Sequence, residues 1–102
     1  MKNKEFSIMP PSEYYETERF YGSERHEVFE GYISKNRQYS IEDGLVIFIT
    51  PEQHRTGKYS VHKNPKHWKD VIKIQEIAER AWIEYYGKTK EDFILRYGRN
   101  YL

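Results

Sequence analysis

The sequence predicts an α+β domain in which a short β-hairpin is backed by a long C-terminal helix and a short terminal helix. Three observations predict it. Leu45-Val46-Ile47-Phe48-Ile49 is an unbroken run of β-branched and aromatic side chains and the best strand in the chain. Beyond Pro65, the residues Trp68, Val71, Ile72, Gln75, Ala78, Trp82 and Tyr85 recur mostly at spacings of three and four, which puts them on one mostly apolar helix face. At 102 residues the chain is long enough for one compact domain and too short for two.

In chain order, residues 1–21 carry Pro10-Pro11 and then alternate glutamate with tyrosine, with no helical or strand periodicity. They read as an acidic, aromatic arm ahead of a domain spanning 22–102, free either to fold back or to meet a partner. His26 to Phe29 can pair as a strand, punctuated by Gly31. Ser34 stands where an N-cap would precede a helix from Lys35 to Asp43, and Gly44 suits its C-terminal cap. After the central strand, Thr50-Pro51-Glu52-Gln53 forms a capping-box pattern that sets His54 on the first turn of a short helix. The outline is a ββα unit. A loop from Arg55 to Asn64 carries His62 and leads to the long helix, which Gly87 ends. Thr89 with Asp92 then caps a short helix around Phe93 to Tyr97, closed by Gly98.

Composition narrows the function classes. The aromatic share is 17%, so the core leans on Tyr, Phe and Trp. Seventeen basic residues nearly balance sixteen acidic ones, and net charge alone implies no polyanionic partner. The distribution is uneven: residues 1–31 hold 4 basic and 7 acidic side chains, whereas Arg55, Lys58, Lys63, Lys66 and Lys69 occur from His54 to Lys69 without a single acid. That stretch can attract phosphate, although on charge alone a solvated basic surface is the favoured reading. The absence of cysteine excludes disulfides and thiolate zinc sites. The longest apolar run, Leu45 to Ile49, is far too short for a membrane span or signal peptide, so a protein soluble inside the cell is expected.

With no thiol available, imidazole is the strong nitrogen ligand left, and His26, His54 and His62 fall on the first strand, the helix turn and the loop beyond. A hairpin followed by a helix brings the first two within side-chain reach. Such a set suits hydrolysis of a phosphodiester, which needs a divalent cation to neutralise phosphate charge and a base to deprotonate water. Taken singly, each histidine reads more readily as a surface side chain, and His67 beside Trp68 reads so outright.

The strings His26-Glu27-Val28-Phe29-Glu30-Gly31, Asn36-Arg37-Gln38-Tyr39-Ser40, Asp43-Gly44-Leu45-Val46, Thr50 to His54, and Val61-His62 together resemble the small phage-encoded HNH, or His-Me finger, endonuclease-like family. The tail from Phe93 to Leu102 is similar to that group's ending, and the resemblance spans Glu24 to Leu102. It implies a ββα-metal fold and cleavage of DNA in the cytoplasm of a bacterial host. It also implies one divalent cation, magnesium or manganese with zinc the alternative, held by His54 and His62. His26 and Glu27 then occupy the positions of a catalytic base and a metal ligand, in either order. In one arrangement His26 activates water and Glu27 supports it or ligates metal. In the other, three histidines bind the cation and Glu27 is the base; the first is favoured. Asn36, Arg37, Arg55, Lys58 and Lys63 are the expected DNA phosphate contacts, although Arg37 can equally pair with a carboxylate inside the fold.

The chain departs from the family pattern where Thr50 and Gln53 replace a cysteine pair, and where Asp43-Gly44 lies near the place of the middle asparagine. A second expectation therefore stands beside the first: an inhibitor of the anti-CRISPR or anti-defence type on the same scaffold, binding a host nuclease or nucleoprotein through the acidic, tyrosine-rich residues 12–21. A third is a non-catalytic DNA-binding accessory protein of phage recombination or packaging.

Overall fold

A computed structural model describes residues 5–30, 35–52 and 69–102. The elements are β1 (Glu24–Glu27), α1 (Asn36–Asp43), β2 (Val46–Ile49), α2 (Lys69–Tyr86) and α3 (Lys90–Tyr97). The two strands pair antiparallel, with Glu24 opposite Ile49, Arg25 opposite Phe48, His26 opposite Ile47 and Glu27 opposite Val46. This is the expected α+β arrangement of a hairpin with helices behind it. The first strand begins two residues earlier than its composition suggests. Val28 and Phe29 lie past its end, but the Val28 N–H still donates to the Leu45 carbonyl at 3.0 Å.

Alternation along β2 sorts its side chains between two faces. Leu45, Ile47 and Ile49 enter the core with Phe29, Ile74, Ala78, Trp82, Phe93 and Tyr97, whereas Val46 and Phe48 are buried on the opposite side. The core is largely aromatic, as the composition requires. Phe93 stacks on Tyr97 with ring centres 4.5 Å apart, and Phe29 and Trp82 meet Phe93 edge-on at 5.3 and 5.4 Å.

The helices end where the sequence places their punctuation. Gly44 (φ 79°), Gly87 (φ 62°) and Gly98 (φ 93°) all adopt the left-handed conformation that glycine enters without a Cβ penalty. At the start of α3 the Thr89 hydroxyl accepts from the Asp92 N–H at 3.1 Å while the Asp92 carboxylate accepts from the Thr89 N–H at 3.0 Å, a complete capping box. Lys35, at the N-terminus of α1, provides no side-chain cap, and the expected cap Ser34 lies outside the described residues. Pro51 opens a helical turn directly after β2, as its position predicts.

One expectation about packing changes. Tyr85 was expected on the apolar face of α2 but is 63% exposed, because the buried stripe runs through Ile74, Ala78 and Trp82 and leaves Tyr85 beyond its edge. Within residues 5–21, the stretch read as an arm folds back on the domain, one of the two courses open to it from sequence. Glu16 exchanges two backbone hydrogen bonds with Phe48, at 2.9 and 3.0 Å, on the edge of β2 that β1 does not use. Ile8 N–H donates to the Gly44 carbonyl at 2.8 Å, and Ser7 Oγ donates to that of Val46 at 2.7 Å. Met9 and Tyr15 are buried in the core. No helix among the described residues is long and apolar enough to cross a membrane.

Candidate functional site

Consecutive residues of a strand project to opposite faces, and this separates the two expected catalytic side chains. His26 shares its face with Ile47 on the core side of the hairpin and is only 7% exposed. Glu27 lies on the outer face beside Val46 and is also buried. One of its oxygens accepts from Arg25 Nε at 2.9 Å and the other faces Arg37 Nε at 3.4 Å. Arg37 reaches Glu30 as well, at 3.4 Å, while most of its side chain stays in solvent. The carboxylate pairing open to Arg37 from sequence is therefore realised, on the same guanidinium that was expected to meet phosphate.

The expected DNA contact at Asn36 is corrected. Its side chain is completely buried, and Nδ2 donates to the Tyr97 carbonyl at 2.9 Å, so no phosphate can reach it in this fold. The physical reason is the inner face of α1, which is polar. Asn36, Ser40 and Asp43 are buried together at helical spacing; Asn36 and Asp43 both bond to Tyr97, and Ser40 bonds to Phe29. Ser40 Oγ donates to the Phe29 carbonyl at 2.8 Å and accepts the Phe29 N–H at 3.1 Å. Phe29, Asn36, Ser40 and Tyr97, four residues that carry the family resemblance, thus belong to one scaffold of hydrogen bonds behind the hairpin.

Asp43 is the hub of that scaffold. Its Oδ2 accepts from Trp82 Nε1 at 2.8 Å, from Tyr97 Oη at 2.7 Å and from Arg96 Nε at 2.6 Å, while Oδ1 accepts from Arg96 at 2.9 Å. Tyr86 Oη donates to the Asp43 backbone carbonyl at 2.9 Å. Burial and the hydrogen bond to Asp43 push the Tyr97 phenol well above its ordinary value. Burial works against the Arg96 cation, but the Asp43 carboxylate outweighs it and leaves the guanidinium more firmly protonated. Asp43 therefore ties α1 to α2 and α3. In the sequence Asp43 stands as the end of a helix, as part of one motif string and as a departure near the middle asparagine, and nothing local connects it with Arg96, 53 residues away.

A second buried acid was also missed. Glu79 is fully buried on α2; its Oε1 accepts the Tyr101 N–H at 2.6 Å, and Oε2 has no hydrogen-bond partner among the described residues. Burial raises its pKa, opposed by that hydrogen bond and by the charges of Lys90 and Arg80. The signal was present in the spacing, since position 79 lies four residues after Gln75 and three before Trp82, on the face read as apolar.

His54 and His62, the expected metal ligands, and Arg55, Lys58 and Lys63, the remaining expected phosphate contacts, lie outside the described residues. Among the described residues no group of three or more His, Asp and Glu side chains is gathered closely enough to hold a metal ion. Of the expected donor set, the described residues contain only His26 and Glu27, on opposite faces of one strand. No family model, no curated protein and no solved structure matches the chain.

Proposed function

We propose that the chain is a metal-dependent DNA endonuclease of the HNH type, a phage-type enzyme acting in the cytoplasm of a bacterial host. The observation that carries this reading is the hairpin register. It fixes His26 in a nearly buried position opposite Ile47, two residues before β2 ends. Burial restricts the imidazole to few orientations, which a general base requires. In this reading His26 takes a proton from the attacking water, and His54 and His62 are the residues that would hold the cation. The cation, when bound, supplies charge neutralisation at the phosphate and the leaving oxygen. Glu27, held between Arg25 and Arg37 on the other face of β1, then supports the strand and its basic surface and stays remote from the water. Arg37, Arg55, Lys58 and Lys63 position the DNA backbone without reading its sequence.

Plasmid nicking tests the proposal, with magnesium, manganese or zinc supplied against a chelator. Cleavage should require a cation and fall by about two orders of magnitude or more in His26→Ala and His54→Ala. Full residual cleavage in either variant, with the fold intact, would defeat it.

The inhibitor reading draws on one observation. Phe20 and Tyr21 form an exposed aromatic turn, with Tyr21 entirely in solvent. A chain that cuts no DNA with any cation but loses inhibition of a host nuclease in Tyr21→Ala would belong to that class instead.

A further inference from the structure

We infer that α2 is a self-association surface on which two copies of the chain pair antiparallel about a two-fold axis near Ala81. Beside the buried stripe of α2 lies a second stripe four residues apart, Ile77, Ala81 and Tyr85, which borders an open groove of about 430 Å³. Ile8 and Pro10 form the other wall of that groove. The groove is mostly apolar, yet Tyr85 stands 63% exposed at its end.

The occupant follows from the charges along the same helix. Arg80 and Glu84 form a ridge adjacent to the apolar stripe, one residue of each sign, and neither makes an ion pair among the described residues. A two-fold axis perpendicular to two facing antiparallel helices keeps this ridge on the same side in both copies and reverses its direction. Arg80 of one copy then meets Glu84 of the other, and the reverse pair forms by symmetry. A parallel two-fold sends the ridges to opposite sides and pairs neither. The antiparallel operation also sets Ala81 against Ala81 at the axis, where a small side chain permits close approach. Ile77 comes level with Tyr85 of the second copy, so that the exposed phenol enters the groove walled by Ile8 and Pro10. One helix thus carries an apolar stripe and a charge pattern complementary to itself in a single orientation.

Sedimentation equilibrium of the full chain across a micromolar concentration series tests the inference. Wild type should show a reversible monomer–dimer equilibrium. Tyr85→Glu, at a side chain the core does not need, should weaken association by about tenfold or more with an unchanged circular dichroism spectrum. Arg80→Glu should weaken it as well, since like charges then face each other, and the double variant Arg80→Glu/Glu84→Arg should restore it. A chain monomeric throughout, a dimer indifferent to Tyr85→Glu, or a double variant no better than the single one would each overturn the inference. DNA cleavage does not enter the measurement, so the result is independent of the nuclease assignment.

Discussion

Glu79 shows how a single residue can set a pH dependence without catalytic involvement. The carboxyl is wholly enclosed, one oxygen holds the Tyr101 N–H, and desolvation favours its protonated form. A group whose folded pKa exceeds its unfolded value binds its proton more tightly in the folded state. Its contribution to stability is therefore complete below the ordinary carboxylate value of 4.5 and declines as pH rises through the raised folded value. Glu79→Gln keeps an acceptor for Tyr101 and removes the titration. Urea unfolding of both proteins over a pH series should show the wild type losing stability relative to Glu79→Gln as pH climbs from 4.5 towards neutrality. Parallel stability curves would show that Glu79 does not bind its proton differently in the two states.

At the scale of elements, α1 poses the sharper problem, because it lacks both a side-chain cap and an apolar face. What holds it is the buried row Asn36, Ser40 and Asp43, and the strongest member is Asp43 with its four donated bonds from Trp82, Arg96 and Tyr97. Removing one partner of a buried ion pair leaves the other uncompensated, which costs about 3 kcal/mol or more. An exposed pair such as Glu42 with Arg96 contributes less than about 1 kcal/mol. Asp43→Ala should therefore lower unfolding free energy by about 3 kcal/mol and Glu42→Ala by under about 1 kcal/mol, measured by chemical denaturation. Equal losses would mean that the knot adds nothing beyond surface charge. The contrast between elements also explains what was legible beforehand. The strand from Leu45 to Ile49, the capping box at Thr89 and the stops at Gly44, Gly87 and Gly98 are written in local chemistry, and all three kinds of signal were readable. α1 was readable from its flanking glycine, but its inner face was not, because polar residues in a core declare themselves only through distant partners. The local pattern accordingly points Asn36 towards DNA, whereas its amide faces Tyr97, 61 residues later. For the candidate site, the position of His26 on a strand was legible from local pattern, whereas its placement on the core face depends on register.

The whole molecule depends on the segment that composition sets apart as an arm. β2 has two edges; β1 pairs with one, and Glu16 with Ser7 and Ile8 engages backbone along the other. Arg19 closes the outer face, its guanidinium 5.2 Å from the Phe48 ring centre and held by two hydrogen bonds to Glu5 at 2.6 and 2.7 Å. The Glu5 carboxyl is correspondingly held below its ordinary range by Arg19. Tyr15 and Met9 supply core volume, and burial pushes the Tyr15 phenol up to about 12. Burying two such side chains contributes on the order of 3 to 6 kcal/mol, a large part of the total stability expected for a domain of this size. A chain beginning at Gly22 should therefore fail to melt cooperatively, and its uncovered β2 edge should drive association in gel filtration. A cooperative melt within a few degrees of the full chain would show the segment to be dispensable. The acidic charge and aromatic surface that suggest partner binding cannot be examined by deleting these residues, because deletion removes part of the core and any activity would be lost with the fold. Substitution at Tyr21, which makes no demand on that core, isolates the exposed surface from the structural role.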